Sequence, residues 1–132
     1  MKAEPARIPA MRGEVPESVW AAIEAEFTLP SLEQVQQKLG EQTADPEPLL
    51  RRLVRVFIGE GTYCPGFQFT AAGGLHPAVT GLFERAMELK IPHDYFTPWM
   101  ITPSTDLQGA RPVDLLNDPL RLGSALEVFA RR

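Results

Sequence analysis

The chain has little of several things, and each shortage narrows what it is. It has a single cysteine, Cys64, among 132 residues, so no intrachain disulfide forms. A reduced, cytoplasmic setting is the expectation for such a chain. The two histidines, His76 and His93, are far apart, and neither C-x-x-C nor H-E-x-x-H occurs, so the usual metal-ligand spacings are missing. No apolar run approaches the ~20 residues that span a bilayer. The N-terminus lacks the apolar core of a signal peptide. Positive charge is scarce in both halves. Residues 1–60 carry 7 Lys/Arg against 10 Asp/Glu, and residues 61–132 carry 6 against 7, for a net charge of -4. Duplex-binding and membrane-surface proteins generally need a basic face, so this balance weighs against both. No internal repeat is present.

What the chain does have is ordinary globular composition, with 44% hydrophobic and 23% charged residues. One domain of this length buries enough surface for a real core. Thirteen prolines keep every element short. The expectation is a mainly α fold: a compact bundle of six to seven short helices with one short extended segment near 67–69.

Three regions follow from the pattern. Residues 1–16, with Pro5, Pro9, Gly13 and Pro16 and no apolar period, read as a flexible arm. Residues 17–64 read as a helical N-terminal region. Val19, Trp20, Ile23 and Phe27 mark one face of a first helix, 17–27. Ser31 and Gln34 form a capping-box pattern for a second, with Leu32, Val35 and Leu39 inward and Gly40 at its end. Asp45-Pro46 opens a third, with a stripe of Leu49, Leu50, Leu53, Val54 and Phe57, stopped by Gly59 and Gly61. In residues 65–132, Phe67-Gln68-Phe69 alternates as an extended piece. A helix over 75–90 follows, then one over 93–101 with Tyr95, Phe96, Trp99 and Met100. A loop, a helical turn after Pro112, and a last helix from Pro119 to about Ala130, capped by Asp118, complete the chain.

Chemistry is sparse. Cys64 with His76 or His93 is the one available thiol–imidazole combination. We read all three as structural, because His93-Asp94 falls at a helix start and His76 precedes a helix-opening proline. Gly59-Glu60-Gly61 and Gly73-Gly74 lack the Lys-Ser or Lys-Thr of a phosphate loop and read as turns. No catalytic residue, metal site or cofactor is expected, and the chain does not read as an enzyme. The first three helices have the order of parts of a helix-turn-helix, in which Arg51, Arg52 and Arg55 would face DNA. The alternative is a solvated face balanced by Glu47 and Glu60. The connection 40–46 is also longer than the usual turn of about 3 to 4 residues.

The C-terminal half carries the most specific pattern. After the aromatic-Gln-Phe segment and a helix come Trp99, Met100, Pro103, Leu107, Gly109, Pro112, Leu115 and Leu116, in fixed order and spacing. Over residues 65–132 this resembles the toxin-binding domain of Xre/MbcA/ParS-type antitoxins, with Met100 in place of the commoner leucine. The resemblance implies an antitoxin of a two-gene module whose partner is a RES-domain, NAD-consuming toxin, with the antitoxin's C-terminal region covering the toxin's active-site cleft. It assigns toxin contact to Trp99, Pro103, Leu107, Gly109, Arg111 and Pro112, and to the terminal pair Arg131 and Arg132, whose guanidinium groups suit an anion- or carboxylate-lined pocket. An Arg pair at a helix C-terminus also complements the macrodipole without any partner. Family members often carry a helix-turn-helix in the N-terminal half and repress their own promoter, but residues 17–64 match only loosely, as a degenerate DNA-binding or oligomerising region. A homodimer or higher oligomer is expected, because the apolar face of 19–27 is not obviously covered within one chain. The rival readings are a stand-alone transcriptional regulator and an oligomerising scaffold without a toxin.

Overall fold

The computed structural model describes residues 15–131. Most of the predicted arm, and Arg132, lie outside the described residues. The fold is mainly helical with one small two-stranded antiparallel sheet.

The first two helices form where the sequence dictates. α1 spans Glu17–Phe27 and buries Trp20 and Ile23. α2 spans Leu32–Gln42 and buries Val35 and Leu39. Its capping box is closed in both directions. The Ser31 hydroxyl accepts the Gln34 N–H at 3.2 Å, and the Gln34 Oε1 accepts the Ser31 N–H at 2.9 Å. Two of the unpaired amides at this helix start are thereby satisfied by local side chains. Gly40 does not end the helix, which runs two residues further.

The third helix departs from expectation. α3 is only Glu47–Leu50, four residues, rather than a helix continuing to Gly59. The chain turns at Arg51-Arg52 and then runs extended as β1, Val56–Ile58, paired antiparallel with β2, Gly61–Tyr63. Gly59, at φ +60, and Glu60 make the hairpin turn. The apolar spacing that suggested one helical stripe is instead shared among separate clusters. Leu53 packs with α2 and Cys64, Val54 with the C-terminal helices, and Val56 with Trp20 and Ile23. Phe57, expected inward, is 54% exposed. Strand pairing and three-way burial outweigh the helical period of the stripe.

The extended segment also lies elsewhere than expected. Gly66–Gln68 is a 3₁₀ turn, and only Phe69 makes an isolated bridge, to Leu75. The turn holds a buried polar knot. Gln68 accepts the Val54 N–H at 2.8 Å and donates to the carbonyls of Val54 at 2.9 Å and Pro65 at 3.0 Å. One side chain thus replaces the backbone partner that a strand would have supplied.

α4, Pro77–Glu88, α5, His93–Ile101, and α6, Pro119–Ala130, close around the main core of Phe83, Phe96, Trp99, Met100, Leu122, Leu126 and Phe129. Full burial of each such side chain is worth roughly 1.5–3 kcal/mol. Asp118 caps α6 by accepting the Arg121 N–H. Contacts run across position 64/65. The Phe27 ring meets Phe67 edge-on at 5.7 Å, and Val54 belongs to the C-terminal core.

Candidate functional site

Residues 99–116 form one continuous elbow between α5 and α6. Trp99 is buried, with ring centroids 6.1 Å from Phe96 and 6.2 Å from Phe129, so it joins α5 to the end of α6. Thr102 ends α5, its hydroxyl donating to the Pro98 carbonyl at 2.6 Å. A 3₁₀ turn, Thr105–Leu107, is capped by Ser104 and drives Leu107 into the core. Gln108 at φ +55 and Gly109 at φ +85 then reverse the chain, and Ser104 N–H meets the Ala110 carbonyl at 3.0 Å. Gly109 is required for its φ, since open space surrounds the position where a Cβ would stand. Pro112 opens a second 3₁₀ turn, Pro112–Leu115, and is buried.

The residues assigned to toxin contact therefore divide. Trp99, Leu107 and Pro112 are interior and build the elbow. Pro103 and Gly109 are exposed on it, and Arg131 is exposed at the end of α6. Arg132 is outside the described residues. Arg111 is engaged within the chain. Its two terminal nitrogens reach Glu26 Oε1 and Oε2 at 2.8 Å each, and Nε and one terminal nitrogen reach Asp114 at 2.8 and 3.1 Å. The ion pairs hold the Glu26 and Asp114 carboxyls below their ordinary values. The i,i+3 spacing of Arg111 and Asp114 was visible in the sequence, whereas Glu26, 85 positions away, gave no signal. Beside this turn, Arg121 donates to the Gln108 side chain, and the adjacent Leu120 is 86% exposed.

The arginines considered for DNA occupy a turn and a strand approach, not a recognition helix. Arg51 pairs with Glu47 at 3.6 Å and Arg52 with Glu84 at 3.2 Å, all on exposed side chains. Arg55 folds back to the Leu50 carbonyl at 2.7 Å, with its Nε buried and unbonded. The long third helix that would have entered a groove is not formed.

Cys64, His76 and His93 are held in structural roles. Burial removes Cys64 from solvent and pushes its thiol up to about 11, so it is protonated at neutral pH. His76 Nδ1 accepts the Ala78 N–H at 3.2 Å and so caps α4. His93 Nδ1 accepts the Arg55 N–H at 3.4 Å, while Asp94 Oδ1 accepts the Phe57 N–H at 3.1 Å. Two consecutive side chains at the head of α5 thus close the outer edge of β1, which would otherwise leave free amides. The His93 ring lies edge-on to Phe83 at 4.7 Å. Burial, foremost, pushes its pKa down.

Among the described residues no group of three or more His, Cys, Asp and Glu is placed to hold a metal ion. No helix among them is long and apolar enough to cross a membrane. Compared with known proteins, the chain matches no family model, no curated protein and no solved structure.

Proposed function

We propose that this chain is the antitoxin of a toxin–antitoxin pair, and that its C-terminal half binds and blocks a RES-type, NAD-consuming toxin. The observation that carries this reading is the split within the signature residues. Its buried members, Trp99, Leu107 and Pro112, tie the elbow to α6, and α6 presents Arg131 exposed at its end. The motif acts as a scaffold that aims Arg131 and the exposed turn at a partner. Guanidinium groups suit a pocket shaped for a dinucleotide pyrophosphate, or the carboxylates lining it. Arg111 stands apart, since Glu26 and Asp114 already saturate its fork. We assign it to holding the elbow rather than to toxin contact.

The test is co-expression with the adjacent reading frame, one partner tagged, followed by a sizing column and an assay of NAD loss. The expected result is a stable complex that preserves NAD. Removing Arg131 and Arg132 should weaken inhibition while leaving the fold intact. Full inhibition by the truncated chain overturns the role of the tail. A chain that forms no complex but retains its promoter DNA favours the regulator reading instead.

A further inference from the structure

A second site is independent of the antitoxin reading. A cleft of about 580 Å³ opens where α1, the β1–β2 hairpin and the head of α5 meet. Small-molecule sites typically measure about 300–1,000 Å³. Three aromatic residues line the cleft, one from each element: Trp20 of α1, Phe57 of β1 and Tyr95 of α5. Two carboxylates line it as well, Glu17 of α1 and Asp94 of α5. Among the described residues no Lys, Arg or His does. Trp20 packs with Ile23 and Val56, and Tyr95 belongs to the main core, so two of the rings are held in place before a ligand arrives. Phe57 stands exposed on the outward face of β1. Asp94 Oδ1 accepts the Phe57 N–H at 3.1 Å, which ties one carboxylate to the strand that carries the third ring. Burial, foremost, pushes the Asp94 carboxyl up. Among the described residues neither Asp94 nor Glu17 has an ion-pair partner.

The lining selects the chemistry of the ligand. Two carboxylates with no basic neighbour repel an anion, and a neutral apolar molecule would cover them without pairing them. A metal ion takes several oxygen or nitrogen ligands, and among the described residues no group of three or more His, Cys, Asp and Glu is placed to hold one. A primary ammonium brings three N–H donors to satisfy, while one Asp94 oxygen is already bonded to Phe57. A quaternary ammonium donates no hydrogen bond. Its methyl groups pack on ring faces, and its charge is attracted by the ring quadrupoles and by the carboxylates together.

We propose that this cleft binds a quaternary ammonium group, with Trp20, Tyr95 and Phe57 as its aromatic wall and Glu17 and Asp94 as its opposite charge. The two buried rings give the site its shape. Phe57 completes the wall from the hairpin and is the ring that can be changed without touching the core. The carboxylates favour the cation over a neutral molecule of the same size.

The test uses the full chain, ¹⁵N-labelled, with choline and with its neutral isostere, in which a tert-butyl group replaces the trimethylammonium. The expected result is saturable shifts at the Trp20 indole N–H and at the amides of Phe57, Ile58 and Tyr95 with choline, and binding about tenfold weaker with the isostere. Phe57→Leu keeps an apolar side chain but removes the ring face. It should weaken choline about 3- to 10-fold and leave the isostere nearly unchanged. Glu17→Gln, at an exposed position, should weaken choline about 2- to 5-fold. The amide spectrum of each variant verifies its fold. A short peptide carrying trimethyllysine separates the two sources of such a group. Tighter binding than choline assigns the site to a methylated protein side chain, and binding no tighter assigns it to a free small molecule. Equal binding of choline and its isostere, shifts lying elsewhere, or no saturable shift with choline overturns the proposal.

Discussion

Arg111 grips Glu26 through two parallel hydrogen bonds of 2.8 Å, joining the loop after α5 to the helix that opens the described chain. The Arg111 side chain is 27% exposed, and the same guanidinium also holds Asp114. This fork is planar and rigid, and lysine cannot reproduce it. Arg111→Lys is expected to lower stability by about 1 kcal/mol, seen as a melting temperature a few degrees lower. Glu26→Gln should cost less, because the arginine retains Asp114. The pair is also pH-linked. Both carboxyl pKa values are lowered in the fold, so the stabilisation is present above the ordinary carboxylate range and is lost as pH falls through the folded values. Thermal melts at pH 7 and pH 3 of both variants check this. A wild-type loss on acidification no larger than that of Arg111→Lys would count against the linkage.

Gln68 is the second prediction. Its side chain is 1% exposed and serves one donor and two acceptors of the backbone. Gln68→Leu keeps the volume but strands the Val54 amide and two carbonyls, at about 2–4 kcal/mol in urea unfolding. Gln68→Glu preserves the acceptor, loses both donations and buries a carboxyl, so it should destabilise more at pH 7 than at pH 5. A neutral Gln68→Leu result would mean that water replaces the lost partners.

His93 sets a pH dependence of the opposite chemical kind. The folded state accepts a proton less readily than the unfolded one, because burial, foremost, and the nearby Arg55 charge disfavour the protonated ring. A base with a depressed folded pKa makes the unfolded state bind more protons. Stability therefore falls as pH drops through about 6.5 and levels off below the folded value. The groups facing the ring include Arg55 on the approach to β1 and Asp94 beside it. His93→Gln should flatten the urea midpoint between pH 7.5 and 5.5. Burial, foremost, pushes the neighbouring Asp94 carboxyl up.

Two glycines predict opposite outcomes. A Cβ on Gly66 would stand 1.8 Å from the Phe27 carbonyl oxygen, where the chain crosses the end of α1 and Gly66 N–H bonds Thr28 O at 3.0 Å. Gly66→Ala must push two backbone segments apart and is expected to cost about 2 kcal/mol or more. Gly40 lies within α2 with nothing near its absent Cβ. Gly40→Ala should stabilise by about 0.5–1 kcal/mol through helix propensity. Denaturant midpoints of the two variants should fall on either side of the wild type.

The local signals were read well wherever a single short stretch contained all the needed partners. The Ser31–Gln34 capping box, the Asp118 cap, the proline-opened α4 and α6 and the inward faces of α1, α4, α5 and α6 all follow from i,i+3 and i,i+4 relations. The apolar period over 49–57 misled because helix and strand can share it over a short run.

By itself, then, the sequence determined the mainly helical class and the positions of five of the helices, because those depend on contacts between neighbours in the chain. Tertiary structure decided the rest. It made residues 56–63 a hairpin, since Val56 finds its burial against Trp20 and Ile23 and its pairing with Tyr63. It made Gln68 a substitute strand partner for Val54, closed the β1 edge with His93 and Asp94, and turned Arg111 toward Glu26. Each of these partnerships joins residues that no helical spacing relates, and those of Gln68 and His93 supply partners to backbone groups that folding takes from water.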